Sequence, residues 1–353
     1  MHLKNRKLAV VRSIVLTFAL AIPAFAVSAF AQTPPTDSLS ALRHSIDTGH
    51  ADDALAQVAQ LRSANPSASA LVLAGYARID GLAFYAKGDL RKADTAFADA
   101  LQHDPADIES AQMRGLTLFR LGRPADAIPL LESSRNAPLA KADPNYVLAL
   151  CFLDTRRYDD ARHAFAAQYG FPPDSAPAYL VSARMMLRRE YLPVAQQFAE
   201  KSLALDPSLP LAHELLGEIA LAGDHLDVAI AELEKERARN PLESSIYDRL
   251  GDAYVRSARY DDAQRTLQEA ILLQPNSTGA YILLGKTLLR KSDPLAAATY
   301  LEHAEQLDPA NFMTHSLLGQ AYRSMGRRDD ATRETATAEK LQAASEPKLD
   351  GAH

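Results

Sequence analysis

Four carboxylates stand out by their spacing. Glu214 and Glu218 lie four residues apart, and Asp248 and Asp252 repeat that spacing one unit of 34 residues later. On a helix, residues four apart share a face, and like charges there cost about 0.2–0.5 kcal/mol per pair. Two such pairs suggest a use for the charge, and one use is to line a groove that takes a basic or mixed-charge ligand. Glu214 also belongs to the stretch AHELLGE, residues 212–218, where a His is followed at once by a Glu. One class of zinc hydrolase begins its site this way, but it needs a second His four residues on, so that both imidazoles share a face. That residue is Gly217, and no other His is in helical register with His213.

Other chemistry is weaker still. LLGKTLLR, residues 283–290, contains Gly-Lys-Thr, the end of a phosphate-binding loop. The full motif needs a glycine five residues before Gly285, where Ala280 stands, and a strand ahead of it. Cys151, in LALCFLD, is the one cysteine of the chain. It excludes an internal disulfide framework and a multi-thiolate zinc site, and its apolar setting predicts a buried, inert thiol. The remaining histidines show no ligand spacing, and neither a nucleophile elbow nor a dinucleotide-binding glycine fingerprint is present. The residues therefore predict no catalytic, cofactor-binding or metal site, and no enzyme.

Composition narrows the class. The chain has 353 residues, 47% of them hydrophobic, with no Trp and 15 Gly. An alanine-rich, glycine-poor chain favours helices over sheet. Lys4, Arg6, Lys7 and Arg12 precede an apolar run from Ile14, and Ala29-Phe30-Ala31 fits a small-x-small cleavage site. Residues 1–31 read as a signal peptide cleaved after Ala31, which predicts export to the periplasm or the cell exterior. The alternative is a retained anchor, although Pro23 interrupts a stretch barely long enough to span. Without residues 1–31 the formal charge moves from −6 to −10. An acidic chain with no basic stretch is a poor nucleic-acid binder, and no later segment is apolar enough to cross a membrane.

The elements that position the carboxylates follow from an internal period. Pro173, Pro207, Pro241, Pro275 and Pro309 are evenly spaced, 34 residues apart, and Pro105 stands two periods before Pro173. A period of that length marks a helical solenoid. With residues 244–277 as a ruler, Leu250 and Gly251 occupy positions 7 and 8, Tyr254 position 11, Ala263 position 20, Leu267 position 24, Ala270 position 27 and Pro275 position 32. Residues 278–311 repeat this with Leu284, Gly285, Leu288, Ala297, Leu301, Ala304 and Pro309. Residues 74–107, 210–243 and 312–345 follow closely, and 35–68, 108–141, 142–175 and 176–209 are weaker copies. Small residues at positions 8, 20 and 27 let two helices approach, and large ones at 7, 11 and 24 fill the space between them. Asp52, Asp159, Asp261 and Asp329 fall at or before the first turn of the second helix, where they are expected to cap free N–H groups. The polar last unit, with Thr335 at position 24, suits an end exposed to water, and residues 346–353 read as a loose tail. Pro129, the stretch NAPLAKADPN and Gly170 predict a bend or soft joint between about 124 and 178; Pro129 alone would cost about 3 kcal/mol in a straight helix.

These residue types at these spacings resemble the tetratricopeptide repeat. The resemblance implies an all-α, right-handed superhelical α-solenoid of about nine helix–turn–helix units over residues 32–345. It also implies a concave groove lined by the first helix of each unit, with positions 2, 5, 9, 12 and 13 facing a bound peptide. On that register Glu214, Glu218, Asp248 and Asp252 converge from two adjacent helices. Arg184 and Lys286 flank them, with Arg188, Arg256 and Arg290 at position 13. The competing arrangement is a charge ladder in which Arg184 pairs with Glu218 and Asp252 with Lys286. Earlier units offer an apolar stretch: Leu82, Tyr85, Leu116, Phe119, Tyr146, Leu150 and Leu153. The Lys and Asn clamp by which one subgroup holds a carboxylate-ended tail is absent. The expected function is an exported, non-catalytic scaffold for a protein or peptide partner. The alternatives are a structural subunit of a cell-envelope assembly for secretion, polysaccharide export or outer-membrane building, and an enzyme whose residues follow no familiar pattern.

Overall fold

The computed structural model describes residues 36–137 and 144–345. The expected signal segment and tail lie outside the described residues. Within them the chain is all-helical: eighteen α-helices and no strand. They run as nine consecutive pairs: α1 (Thr36–Asp47) and α2 (Ala51–Ala64); α3 (Ala70–Lys87) and α4 (Leu90–His103); α5 (Ile108–Arg120) and α6 (Pro124–Ser134); α7 (Pro144–Asp154) and α8 (Tyr158–Tyr169); α9 (Ala176–Arg188) and α10 (Leu192–Leu205); α11 (Ala212–Ala222) and α12 (Leu226–Arg239); α13 (Ser244–Arg256) and α14 (Tyr260–Leu273); α15 (Thr278–Arg290) and α16 (Pro294–Leu307); α17 (Phe312–Ser324) and α18 (Arg328–Ser345). Each helix packs on the next, and the first helices of successive pairs also touch, whereas second helices make no comparable contact with one another. The stack therefore curves toward its first helices. The inner row is loosest at one point: α7 and α9 approach less closely than any other neighbouring pair of first helices.

From the α3–α4 pair onward, the turn inside each pair sets the phase. Gly88, Gly122, Arg156, Glu190, Asp224, Ala258, Ser292 and Gly326 all have left-handed backbone, with φ between 58° and 80°. They follow one another at the repeat interval without a slip. Five of the eight are not glycine, so five turns carry the Cβ crowding that this conformation imposes. The close approach at position 8 is equally regular. A Cβ on Gly251 would lie 2.3 Å from Leu267 Cδ2, and one on Gly217 would lie 2.5 Å from Leu233 Cγ. Gly217 is a glycine because the neighbouring helix leaves room for nothing larger.

At their far ends the regular second helices stop at the residue before the repeat's proline. Asp104 and Asp206 there have extended backbone (φ −139° and −141°), as a residue before proline requires. The start of the second helix differs from expectation. Asp52, Asp159 and Asp261 sit in the first turn, but no side chain caps α2, α8 or α14. These aspartates instead face Lys87, Arg162 and Lys291. At α8, α14 and α18 an arginine precedes the helix and pairs with the acid three residues on: Arg157 with Asp160, Arg259 with Asp262, and Arg327 with Asp330. The same guanidinium lies over an aromatic ring of the preceding helix, 4.4 Å, 4.6 Å and 4.2 Å from the centroid. Side-chain caps proper come from Asp89, Asp107, Ser175, Asp293 and Asn311.

Between 124 and 178 the array is irregular. α6 and α8 have 11 and 12 residues against 14 in α4, α10, α12, α14 and α16. Helix α6 continues past Pro129. Gly170, in the left-handed conformation, ends α8. Regular pairs are joined through 240–243, 274–277 and 308–311, whereas 170–175 is a longer link. It is pinned by Arg162, whose side chain is 6% exposed. It reaches the Pro173 carbonyl and Asp174 Oδ1, the latter at 2.7 Å, and lies 4.4 Å from the Tyr179 ring centroid. Buried apolar side chains form three main clusters: Leu42 to Ala83, Leu116 to Ile219, and Ile230 to Ala331. The second runs unbroken through the irregular stretch. The change from second to third falls between α11 and α12.

Candidate binding groove

The inner row of first helices brings Arg184, Glu214, Glu218 and Arg249 together. Glu214 and Glu218, one turn apart on α11, face outward from the helix onto both neighbours. Arg249 Nη1, from α13, lies 2.9 Å from Glu214 Oε1, and its Nη2 contacts Glu218 Oε1. Arg184, from α9, lies 4.0 Å from Glu214 and 3.8 Å from Glu218. Ser245 Oγ donates to Glu214 Oε1 at 2.8 Å. Glu214 is buried, at 3% exposure. A carboxylate that deep needs partners, because an unpaired buried charge is strongly unfavourable, and two guanidinium forks supply them.

Of the two arrangements the sequence allows, the charge ladder describes α11 better than an open acidic wall. The α11 pair is already matched by two arginines. Arg249 was missed because it stands at position 6, which the groove register assigns to the helix flank. It is 31 residues after Glu218 and 35 after Glu214, and that offset by itself could have marked it. The expected ladder forms in part: Arg184 does approach Glu218. Asp252 does not meet Lys286; it lies 3.5 Å from Arg256 of its own helix.

Asp248 is half-buried. Its Oδ2 accepts from Ser277 Oγ at 3.3 Å, while Oδ1 has no partner. Burial raises its pKa, against the hydrogen bond from Ser277 and the charge of Arg249. Arg256 extends across to Asp224 Oδ1 at 2.7 Å and the Leu221 carbonyl at 3.0 Å. Its pKa is raised first by the Asp224 hydrogen bond, which outweighs its slight burial, and then by the charge of Asp252. Arg188, Lys286 and Arg290 form no ion pair among the described residues; Arg188 and Arg290 are exposed and Lys286 is half-buried. The side chains without an ion pair on this face are thus mostly cationic, with Asp248 the exception.

The apolar stretch of the earlier units divides. Leu116 and Leu153 are buried in the core. Leu82, Tyr85, Phe119, Tyr146 and Leu150 are half-buried, and Arg120 lies over Tyr85 at 4.8 Å. The other candidates behave as helix interior. Gly285 of the Gly-Lys-Thr stretch packs in α15 against Leu301. Cys151 is fully buried, and burial, with help from Asp154, pushes its thiol up to about 12. His213 is held from α12: its Nδ1 lies 2.5 Å from Glu232 Oε2. Glu236, also from α12, is buried and accepts the Leu211 and His213 N–H groups at 2.9 Å and 3.2 Å. It caps α11 from a neighbouring helix, where Leu211 offers no cap of its own. The histidine and glutamate of AHELLGE therefore serve the packing of one unit and the pairing of two others.

The tetratricopeptide-repeat family model matches residues 81–144, 113–176 and 249–312. The chain carries tetratricopeptide repeats. No curated protein matches the sequence. Among solved structures, MamA from Desulfovibrio magneticus RS-1 is 18% identical, with 49% of this chain and 98% of that chain covered and a TM-score of 0.46. YrrB, described as a TPR protein with an unusual peptide-binding site, is 22% identical, covering 53% of this chain and 95% of that one, with a TM-score of 0.44. A chain of the APC/C hetero-tetramer Cut9–Hcn1 is 19% identical over 81% of this chain and 58% of that one, with a TM-score of 0.43. These likenesses say nothing of what the tetratricopeptide units here bind. No helix among the described residues is long and apolar enough to cross a membrane.

Proposed function

We propose that the chain is a non-catalytic interaction scaffold that takes a protein or peptide segment along its row of first helices. The observation that carries this reading is the state of charge on that row. Glu214 and Glu218 are neutralised in place by Arg184 and Arg249, while Arg188, Lys286 and Arg290 point no charge at any partner. A segment bearing carboxylates complements those cations. A basic segment would have to displace two guanidinium groups from buried Glu214 and half-buried Glu218, and breaking a buried pair costs about 3–5 kcal/mol. The basic start, apolar run and Ala29-Phe30-Ala31 support export, with the scaffold acting in the periplasm or outside the cell.

A second reading, a structural subunit of an envelope assembly, draws on the opposite side. Val228, Leu272 and Leu295 on second helices are 54%, 80% and 70% exposed, and apolar side chains on an outer face suit docking into a larger complex. Affinity capture from an envelope extract separates the two. A triple charge reversal of Arg188, Lys286 and Arg290 to Glu is expected to lose the captured segment. Changing Glu214, Glu218, Asp248 and Asp252 together to Ala should retain it. An unchanged partner set in the triple reversal overturns the groove reading. Co-migration with a membrane complex that is lost on changing Leu272 and Leu295 to Ser selects the second.

A further inference from the structure

Two histidines occupy the same place in units that lie three repeats apart, His213 on α11 and His315 on α17. Each turns Nδ1 to a glutamate of the following helix: His213 to Glu232 at 2.5 Å, and His315 to Glu334 at 2.8 Å. They differ in what else is present. The residue equivalent to Leu203 in the first unit's surroundings is Glu305 in the second, and Glu305 Oε1 lies 4.0 Å from His315 Nδ1. His315 Nε2 lies 2.9 Å from the Pro309 carbonyl. A carbonyl only accepts, so Nε2 carries the ring hydrogen and Nδ1 is turned to two carboxylates. His315 and Glu334 are buried, at 4% and 6% exposure.

The geometry points to a divalent-metal site of the zinc class formed by Glu305, His315 and Glu334, one ligand each from the last turn of α16, from α17 and from α18. The three ligand atoms all lie within 4.8 Å of one another. Donors about 2.0–2.2 Å from a tetrahedral ion stand roughly 3.3–3.6 Å apart, a spacing bracketed by the 2.8 Å and 4.0 Å measured from Nδ1. Glu305 is 38% exposed along its side chain, so it has room to close the gap and leaves the fourth position to water. The donor set of one imidazole and two carboxylates suits zinc, whereas calcium and magnesium prefer oxygen alone. The carbonyl on Nε2 is the outer partner that ligating histidines characteristically keep. Arg333 Nε, 3.1 Å from Glu334 Oε1, engages the oxygen turned away from His315. The ion would tie together α16, α17 and α18.

The full chain, stripped with a chelator and titrated with Zn²⁺ by calorimetry, tests this, with thermal unfolding in parallel. One ion per chain and a raised Tm are expected. Glu305→Gln and His315→Gln should each weaken binding more than tenfold, and His213→Gln should leave it unchanged. Glu305 is partly exposed, so its variant keeps the fold, and circular dichroism confirms that. No saturable binding by the wild type, or Glu305→Gln titrating like the wild type, reduces the cluster to an ion pair. Loss of binding in His213→Gln would move the ion elsewhere and overturn the assignment.

Discussion

Residues 124–178 and 244–345 solve the same packing problem in opposite ways. The later stretch repeats its pattern with hardly a change: glycine at position 8 in every unit, leucine at position 24 until the end unit, and links such as 274–277. The earlier stretch has Pro129 inside α6, two short second helices and a long link at 170–175. Its position 8 is Ala149 and then, in the next unit, Ala183, opposite Phe165 and Ala199. Yet the buried core runs through the irregular part from Leu116 to Ile219 and stops at the entry to the regular part. There a cleft of about 640 Å³ opens, lined by Leu192, Leu216, Ile219, Ala220, Val228 and others. Regular sequence records how closely backbones approach. Continuity of the core depends on bulk, and Phe152, Phe165 and Met186 supply it where glycine would not.

The largest effect that separates the two regions is expected at position 8. Gly251→Val drives a branched side chain into Leu267 and should lose about 3 kcal/mol or more in urea unfolding. The converse change in the irregular region, Ala149→Gly, should lose only about 1 kcal/mol; equal losses would abolish the distinction. Next in size is Arg162→Ala, which removes a stacked, hydrogen-bonded cation from the 170–175 link and should cost about 2–3 kcal/mol. The cost should appear together with faster proteolysis of that link. A smaller contrast is expected in hydrogen exchange. Helices between 124 and 178 should open more readily than α13 and α14, by a factor of about ten, or about 1.4 kcal/mol. Protection equal to that of 244–277 would show that the continuous core fully compensates for the broken pattern. The smallest effect lies in the turns. Arg156→Gly and Ser292→Gly should each stabilise by about 0.5–1 kcal/mol, similarly in both regions, because both turns have the same left-handed backbone.

The fold was legible because its determinants recur. Gly251, Tyr254, Ala263 and Pro275 each have counterparts a fixed distance away, so an error in one unit is corrected by the others. The charge on the inner face was legible only in part. Glu214 and Glu218 were placed on the inner face, but Arg249 pairs with them across a helix boundary, and a register that assigns one role to each position does not record which flank touches the next unit. Glu305, His315 and Glu334 were illegible for a related reason. Their separations in sequence match no single-helix motif; they meet only because α16, α17 and α18 stack. Asp52, Asp159 and Asp261 were assigned as caps from their position, and cations on the adjoining helix, or one turn on, took them instead.

The eight left-handed turns from Gly88 to Gly326 have a consequence for how this chain can change length. Each closes its helix pair at the same point of the repeat, whatever residue occupies it. Deleting or duplicating any block of that period between them joins equivalent backbone to equivalent backbone, and a block of any other length does not. The molecule is therefore editable in whole steps, and Glu190 or Asp224 marks the cut as surely as a glycine.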